Sequence, residues 1–292
     1  MNPTPASVPT TLLQYPVASG RFWTRVLEVP GNDPPVVLLH GAGARADRWR
    51  SSLSVLGAQG LRALALDLPG HGFASKGPGP EYSVVGFAAF VAAALDELAV
   101  TSAVLIGTSL GAHVAARLAL DRPSLAARLV MVGPTGLLPL GEPMRDSIAA
   151  NLRDVTPRGM RRKLARVVAH GDAIDEAWVT EEWRSNSSPG AAESFEALAG
   201  YVEAHLDEDA VGDELKERRG DLDVLVVWGE RDVVVPVGSR DDVLRACGRA
   251  DVAYVRDAGH LPYAENGDEF WGIVLPFLTA GSPAIAAGTR VP

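Results

Sequence analysis

The chain has 292 residues, of which 47% are hydrophobic and 22% are charged, and its formal net charge is -9 at pH 7. This length allows one large domain with a sizeable core, and the acidic balance argues against a nucleic-acid partner. The most apolar stretch, Val84 to Val100, contains Asp96 and Glu97 and therefore predicts a buried helix rather than a membrane span. We expect neither nucleic acid nor a membrane as a partner.

The N-terminus and the cysteine content favour a cytoplasmic protein. Met1 to Thr11 is rich in Pro, Thr and Ser and lacks the basic start and apolar block of a signal peptide. The lone cysteine, Cys247, cannot form an internal disulfide and leaves no cysteine framework for zinc. We expect residues 1–15 to be poorly ordered.

Short β-branched runs alternate with longer helical patterns, which is typical of an α/β fold with a mostly parallel sheet. The predicted strands, several of them apolar throughout as in strands covered on both faces, are Thr24–Val29, Val36–Leu39, Arg62–Leu66, Val104–Ile106, Leu129–Val132, Val224–Trp228 and Val252–Val255. The predicted helices are Asp47–Leu56, Ser83–Leu98, Leu110–Leu120, Gly238–Ala246 and Glu265–Leu278.

The alternation of strands and helices stops after Gly133. From Pro134 to about Gly220 the chain is charged, helical in pattern and almost free of strand signal. We interpret residues 134–220, called the insertion below, as a helical segment between two strands of a core formed by residues 1–133 and 221–292. A series of irregular surface loops is the alternative, but structureless connections of that length are uncommon.

A candidate nucleophile lies in the pentapeptide Gly107-Thr108-Ser109-Leu110-Gly111. The pentapeptide follows the apolar run Ala103–Ile106 and precedes a helical pattern, so Ser109 is predicted on a sharp turn from strand to helix. Glycines on either side leave room for the tight crossing, and the helix N-terminus favours developing negative charge. The spacing therefore predicts an exposed, activated serine hydroxyl.

A serine nucleophile needs a base, and six histidines are available: His40, His71, His113, His170, His205 and His260. The first two lie in tight turns, where hydrogen bonding to the local backbone is expected. His113 is predicted to be packed inside the helix after Ser109, and the next two fall in the insertion. His260 follows the last predicted strand, at the sheet edge where open α/β folds bind their ligands, and is the predicted base.

The base in turn needs an acid that orients the imidazole and balances its charge. Asp232 follows the strand Val224–Trp228 at the same edge of the sheet and is the predicted acid. Glu230 and Asp257 are rivals, although both have the alternative of being surface carboxylates. The order serine, aspartate, histidine along the chain is the order expected of α/β hydrolases.

The sequence resembles the α/β-hydrolase superfamily through five motifs in the correct order: Leu39-His40-Gly41-Ala42-Gly43, Asp67-Leu68-Pro69-Gly70-His71-Gly72, the Ser109 turn, Gly229-Glu230-Arg231-Asp232 and Gly259-His260. The resemblance implies a mostly parallel, eight-stranded sheet flanked by helices, with the insertion as a cap over the active site. It also implies an oxyanion hole formed by the backbone N–H groups of Ala42 and Leu110, with Gly43 as the alternative to Ala42.

A narrower resemblance concerns the strand-to-cap transition Met131–Leu137, which is similar to that of meta-cleavage-product hydrolases. These enzymes cleave carbon–carbon bonds in vinylogous diketones, and they usually have an amide residue before the nucleophile and Trp after the catalytic His. This sequence has Thr108 and Leu261 there. Together with Gly43, these two residues are predicted to contact the substrate.

One predicted helical stretch of the insertion is strongly basic and contains Arg158, Arg161, Arg162, Lys163 and Arg166. It could capture an anionic substrate or an acyl carrier. A solvated helix face is the favoured interpretation, because charge runs on helices usually lie at the surface.

These features predict a serine hydrolase that cleaves a carboxylic ester or related small acyl substrate through an acyl-enzyme intermediate. Carbon–carbon bond hydrolysis, thioester cleavage and acyl transfer are alternatives, and a ligand receptor on the same fold belongs to a different class of function. No cofactor is expected, and the protein is expected to be a monomer or a homodimer.

Overall fold

The computed structural model describes residues 11–171, 174–218, 222–235 and 237–279. Eight strands form one sheet in the order β1-β2-β4-β3-β5-β6-β7-β8. The strands are β1 Leu13–Ser19, β2 Phe22–Val29, β3 Asn32–Leu39, β4 Leu61–Leu66, β5 Ala103–Thr108, β6 Ala126–Val132, β7 Asp223–Gly229 and β8 Asp251–Val255. Strand β2 is antiparallel to both β1 and β4, and the other neighbouring pairs are parallel.

This sheet confirms the predicted mostly parallel, eight-stranded α/β architecture, and each of the seven predicted strands overlaps one of β2 to β8. Strand β1 was not predicted. The expectation of poor order is wrong for Leu13 to Tyr15, which pair with β2, whereas residues 1–10 lie outside the described residues. Only Val17 and Ser19 of β1 are buried, and Pro16 interrupts its pattern, which an edge strand tolerates.

The described residues contain eleven α-helices and a short 3₁₀ turn, Ala46–Trp49. The helices are α1 Arg50–Ala58, α2 Val84–Glu97, α3 Leu110–Asp121, α4 Glu142–Arg153, α5 Pro157–Val167, α6 Glu176–Asn186, α7 Ala191–Ala204, α8 Gly212–Glu217, α9 Arg240–Cys247, α10 Pro262–Glu265 and α11 Gly267–Thr279. None of them is long and apolar enough to cross a membrane.

Apolar side chains cover both faces of the sheet, because successive residues of a strand point to opposite sides. In β4, Leu64 and Leu66 join the hydrophobic cluster that includes α2 and α3. Ala63 and Ala65 join the cluster on the other side, with α1 and α11. The strands are therefore buried on both faces, and the chemistry must be found at the ends of the strands.

Helices α4 to α8 all lie between β6 and β7, and the described residues of this segment contain no strand. Helix α4 packs against α7, and α5 packs against α6. Contacts of α5 and α6 with the loops that follow β3 and β8 bring this segment to the carboxyl edge of the sheet.

Candidate active site

Ser109 lies on a strained turn between β5 and α3. Its φ of 55° and ψ of −122° are rare for a residue with a side chain, and its backbone N–H donates to the Val132 carbonyl at 2.9 Å. A Cβ at Gly107 would lie 2.1 Å from the Gly111 carbonyl oxygen, and a Cβ at Gly111 would lie 2.3 Å from that of Leu39. Both glycines are therefore required for the turn that presents the serine.

His260 and Asp232 form a buried pair at the carboxyl ends of β8 and β7. His260 Nδ1 lies 2.7 Å from Asp232 Oδ2, and the two side chains are 5% and 0% exposed. Asp232 Oδ1 accepts hydrogen bonds from the backbone N–H groups of Val234 and Val235, at 2.8 and 3.0 Å. We assign the Nδ1 proton to the bond with the carboxylate, so Nε2 is the nitrogen that can accept a proton.

Gly133, at the end of β6, lies against this pair. Its φ is +48°, and a Cβ there would lie 2.9 Å from Asp232 Oδ2 and 3.0 Å from His260 Nδ1. A side chain at this position would thus push into the bond between the imidazole and the carboxylate. The main chain of β6 therefore forms the wall behind the pair.

The rival acids lie elsewhere. Glu230 is exposed at the surface. Asp257 is 59% exposed and contacts Arg231 at 2.8 Å and His170 at 3.0 Å. Of the three candidate carboxylates, the structure brings only Asp232 to His260.

The backbone after β3 runs beside the serine. A Cβ at Gly41 would lie 3.1 Å from Ser109 Cβ. The N–H groups of Ala42 and Leu110 form no hydrogen bond with any described residue, and Leu110 is in the first turn of α3, where helical N–H groups have no partner. Both groups are free to bind an oxyanion.

The backbone N–H of Gly43, unlike those of Ala42 and Leu110, is already hydrogen-bonded. Its N–H donates to His71 Nε2 at 3.0 Å, and its carbonyl accepts from Asn186 Nδ2 of α6 at 2.8 Å. Gly43 lines the cavity, but its N–H already donates to His71 and cannot replace that of Ala42 without breaking this bond.

The two turn histidines bond to the backbone, as expected. His40 Nε2 accepts from the Leu68 N–H at 2.9 Å, and His71 Nδ1 lies 2.8 Å from the Pro69 carbonyl. Complete burial lowers the pKa of His40 to about 4 and that of His71 well below its usual value. They hold the loops beside the serine in place as neutral rings.

One cavity contains Ser109 and His260 in its wall, together with Thr108 and Leu261. Much of the remaining wall is apolar and comes from the insertion, including Met144, Ile148, Leu152, Met160, Leu164 and Leu206. A cavity with this lining can hold an apolar group next to Ser109.

Two features that hold the His260 loop were not predicted from the sequence. The backbone N–H of His260 donates to the Val167 carbonyl, at the end of α5, at 2.9 Å. The Glu265 carboxylate accepts from the N–H groups of Gly259 and Leu261 through Oε1 and from Ala169 through Oε2, at 3.0, 3.1 and 2.5 Å. The His260 loop is therefore attached to the insertion as well as to the sheet.

The basic stretch of α5 is divided between two environments. Arg158 and Arg162 are exposed, and Arg161 and Arg162 form ion pairs with Glu176 and Asp154 respectively. Lys163 and Arg166 instead line the cavity. The expectation of a solvated face is therefore wrong for these last two residues, because one face of the helix covers the site.

Comparison with known proteins agrees with this architecture. A model described as the alpha/beta hydrolase family matches residues 36–272. A 2-hydroxy-6-oxononadienedioate/2-hydroxy-6-oxononatrienedioate hydrolase from Escherichia coli is 28% identical over 257 residues, which are 84% of this chain and 87% of that protein. The chain belongs to the alpha/beta hydrolase family, and this membership implies a hydrolase.

One further relative is matched over only part of its length, and one solved structure is similar in fold at low sequence identity. The dihydrolipoyllysine-residue acetyltransferase component of the acetoin cleaving system from Cupriavidus necator is 28% identical over 82% of this chain, which spans only 62% of that protein. The solved structure of 2-hydroxy-6-oxo-6-phenylhexa-2,4-dienoate hydrolase from Rhodococcus sp. strain RHA1 has a TM-score of 0.83 and 21% identity, covering 93% of this chain and 100% of its own. At that identity the likeness shows the fold.

Proposed function

We propose that the chain is a serine hydrolase of carboxylic esters or related small acyl substrates, with Ser109 as nucleophile, His260 as base and Asp232 as orienting acid. The observation that carries the proposal is the 2.7 Å bond between His260 and Asp232 in the cavity that Ser109 also lines. An imidazole fixed by a buried carboxylate, in the same cavity as a serine on a strained turn, is an arrangement suited to nucleophilic acyl transfer.

The proposed reaction has two steps. His260 Nε2 removes the Ser109 proton as the serine oxygen attacks the carbonyl, and the N–H groups of Ala42 and Leu110 bind the oxyanion. The imidazolium then protonates the leaving alkoxide, which leaves an acyl-enzyme. Water, deprotonated by His260, attacks the acyl group and releases the acid and Ser109.

The insertion is proposed to act as the cap that selects the acyl group. Its helices supply most of the apolar wall of the cavity, whereas the nucleophile, base and acid all come from loops at the carboxyl edge of the sheet. A change in the insertion should therefore alter substrate preference more than it alters the chemistry.

Carbon–carbon bond hydrolysis is the second candidate, favoured by the similarity to the Escherichia coli dienedioate hydrolase over most of both chains. This reaction expels a carbanion, so the site must stabilise an enolate as well as the oxyanion. Leu261 has no donor to offer, and Thr108 is shorter than an amide side chain. We therefore favour the ester, whose alkoxide leaving group needs only a proton from His260.

The discriminating experiment compares kcat/KM for a medium-chain activated ester and for a phenyl-substituted meta-cleavage dienoate. We expect the higher value for the ester, and no turnover of either substrate after Ser109→Ala. A fluorophosphonate probe should label the unmodified protein and not the variant. A clear preference for the dienoate would favour the second candidate, and labelling that persists in the variant would exclude Ser109 as the nucleophile.

A ligand receptor is separated from an enzyme by the same measurement. Acyl transfer is separated from hydrolysis by analysing products with an added alcohol or thiol acceptor. The acetyltransferase component from Cupriavidus necator, similar over part of its length, makes the acceptor experiment worthwhile. Release of free acid as the main product supports hydrolysis.

A further inference from the structure

The wall of the active-site cavity contains four charged side chains: Arg48, Lys163, Arg166 and Glu182. Arg48 Nη2 lies 2.9 Å from Glu182 Oε1, and its guanidinium carbon lies 4.3 Å from the centre of the Trp178 ring. Arg166 donates to Ser147 Oγ at 3.0 Å. Glu182 is only 3% exposed, and its charge is neutralised by Arg48, which lies outside the insertion.

Lys163 is different, because its ammonium forms no hydrogen bond or ion pair with any described residue. Burial lowers its pKa to about 8, while Asp154 and Glu182 act to raise it and Arg162 to lower it. The group is therefore largely protonated at pH 7. Arg48 already pairs with Glu182, and Arg162 pairs with Asp154. Lys163 and Arg166 have no ion-pair partner among the described residues, but Arg166 is hydrogen-bonded to Ser147, so Lys163 is the cavity cation with neither kind of contact.

The position of Lys163 relates it to the reacting centre. It lies four residues before Val167 on α5, so the two residues share a helix face and are separated by a rise of about 6 Å. The Val167 carbonyl accepts from the His260 N–H at 2.9 Å. Lys163 thus stands about one helical turn from the main chain of the base, with the apolar side chains of Met160 and Leu164 beside it.

We propose that Lys163 binds an anionic group, a carboxylate, at the end of the acyl chain remote from the scissile bond. The inference rests on the proposed esterase function and narrows its substrate class to half-esters of dicarboxylic acids. A half-buried cation without a partner among the described residues is unfavourable, and a substrate carboxylate would supply a charge-assisted hydrogen bond. The apolar residues of the insertion would hold the methylene groups between the two ends.

The test compares mono-4-nitrophenyl adipate with 4-nitrophenyl hexanoate, two esters of equal chain length that differ in the terminal carboxylate. We expect the unmodified protein to prefer the adipate, and Lys163→Met to lower the adipate-to-hexanoate ratio of kcat/KM by at least about tenfold, the value of a hydrogen bond to a charged group. Arg162→Met is the control, because it removes an exposed charge from the next position. Its ratio should be unchanged.

The dependence on pH provides a readout that a merely structural role would not change. The preference for adipate should fall as the pH rises through about 8, because the Lys163 ammonium loses its proton. In Lys163→Arg the preference should persist to pH 9.5, because a guanidinium stays charged. A preference with the same pH profile in Lys163→Met overturns the assignment.

The outcomes separate this inference from the proposed function. If Ser109 hydrolyses both esters and the ratio is equal in all variants, only the role of Lys163 fails. If neither ester is hydrolysed, the esterase proposal fails, and calorimetric titration with monomethyl adipate and methyl hexanoate tests Lys163 directly. Tighter binding of monomethyl adipate that is lost in Lys163→Met supports the anion site, and equal binding of the two methyl esters excludes it.

Discussion

His260 Nδ1 and Asp232 Oδ2 are 2.7 Å apart, while the other oxygen of the same carboxylate is held by two backbone N–H groups. Backbone hydrogen bonds to Oδ1 therefore hold the carboxylate in place, while Oδ2 orients the imidazole. An amide at this position can keep one of these contacts but cannot balance the charge of the imidazolium.

Replacing the acid should therefore abolish most of the activity. Asp232→Asn is expected to lower kcat by about 10⁴-fold, the usual cost of removing the orienting acid. Glu230→Gln and Asp257→Asn serve as controls and should change kcat by less than about threefold, because these carboxylates are exposed. Steady-state kinetics with one activated ester checks all three, and a severe loss in Asp257→Asn would mean that the acid is misassigned.

Gly133 and Gly141 form a matched pair, because both have positive φ and only one is crowded. A Cβ at Gly133 meets the Asp232 and His260 side chains, whereas a Cβ at Gly141 has nothing within 4 Å. Alanine at either site should cost about 1–3 kcal/mol of stability through backbone strain. Only Gly133→Ala should also lower kcat, by about 10²-fold, because it displaces the base.

Measuring kcat and the free energy of unfolding for both variants would distinguish backbone strain from displacement of His260. An equal loss of kcat in Gly141→Ala would show that strain alone explains the effect. An unchanged kcat in Gly133→Ala would show that the wall behind the pair can move.

Acid should destabilise the protein through its buried histidines. Burial lowers the pKa of His113 to about 4, and its Nε2 bonds to the Asp209 carbonyl at 2.7 Å, while Nδ1 has no hydrogen-bond partner in the part of the chain that the structure describes. The folded pKa lies below the ordinary 6.5, so the unfolded state binds more protons between these values, and stability falls as the pH drops from 6.5 towards 4.

The contribution of His113 between pH 7 and pH 5 should be on the order of 1–2 kcal/mol. Denaturant unfolding at the two pH values measures it, and His113→Gln should reduce the loss of stability by that amount. His205→Gln removes a histidine whose side chain is 60% exposed and should leave the pH dependence unchanged. An identical loss in all three proteins would contradict the assignment.

Glu265 should position the base without touching the substrate. In Glu265→Gln the side-chain NH₂ group would face the Ala169 N–H, so two donors would oppose each other where a hydrogen bond now stands. One of the three backbone contacts of this side chain is therefore lost. We expect kcat to fall by about tenfold and stability by about 1–3 kcal/mol. Glu208→Gln, which alters an exposed pair with His205, is the control, and equal effects in the two variants would show that the loop does not depend on Glu265.

The sequence predicted the features that follow directly from strands. Ser109, Asp232 and His260 were each predicted from their place just beyond a buried strand, and parallel strands bring their carboxyl ends together. Strand β1 escaped prediction because it is an exposed edge with a proline. Glu265 was unpredictable because its contact with Ala169 joins residues 96 positions apart. The position of Lys163 in the cavity wall depends on which face of α5 is turned towards the site, and a run of charges does not reveal this.

The bond from the His260 N–H to the Val167 carbonyl has a consequence for how substrate reaches the cavity. A movement that lifts α5 away from the sheet would break that bond and the contact of Ala169 with Glu265. The bonds of His260 to Asp232, and of Gly259 and Leu261 to Glu265, would remain. Entry of substrate by this route would therefore loosen the His260 loop without releasing the imidazole from its carboxylate.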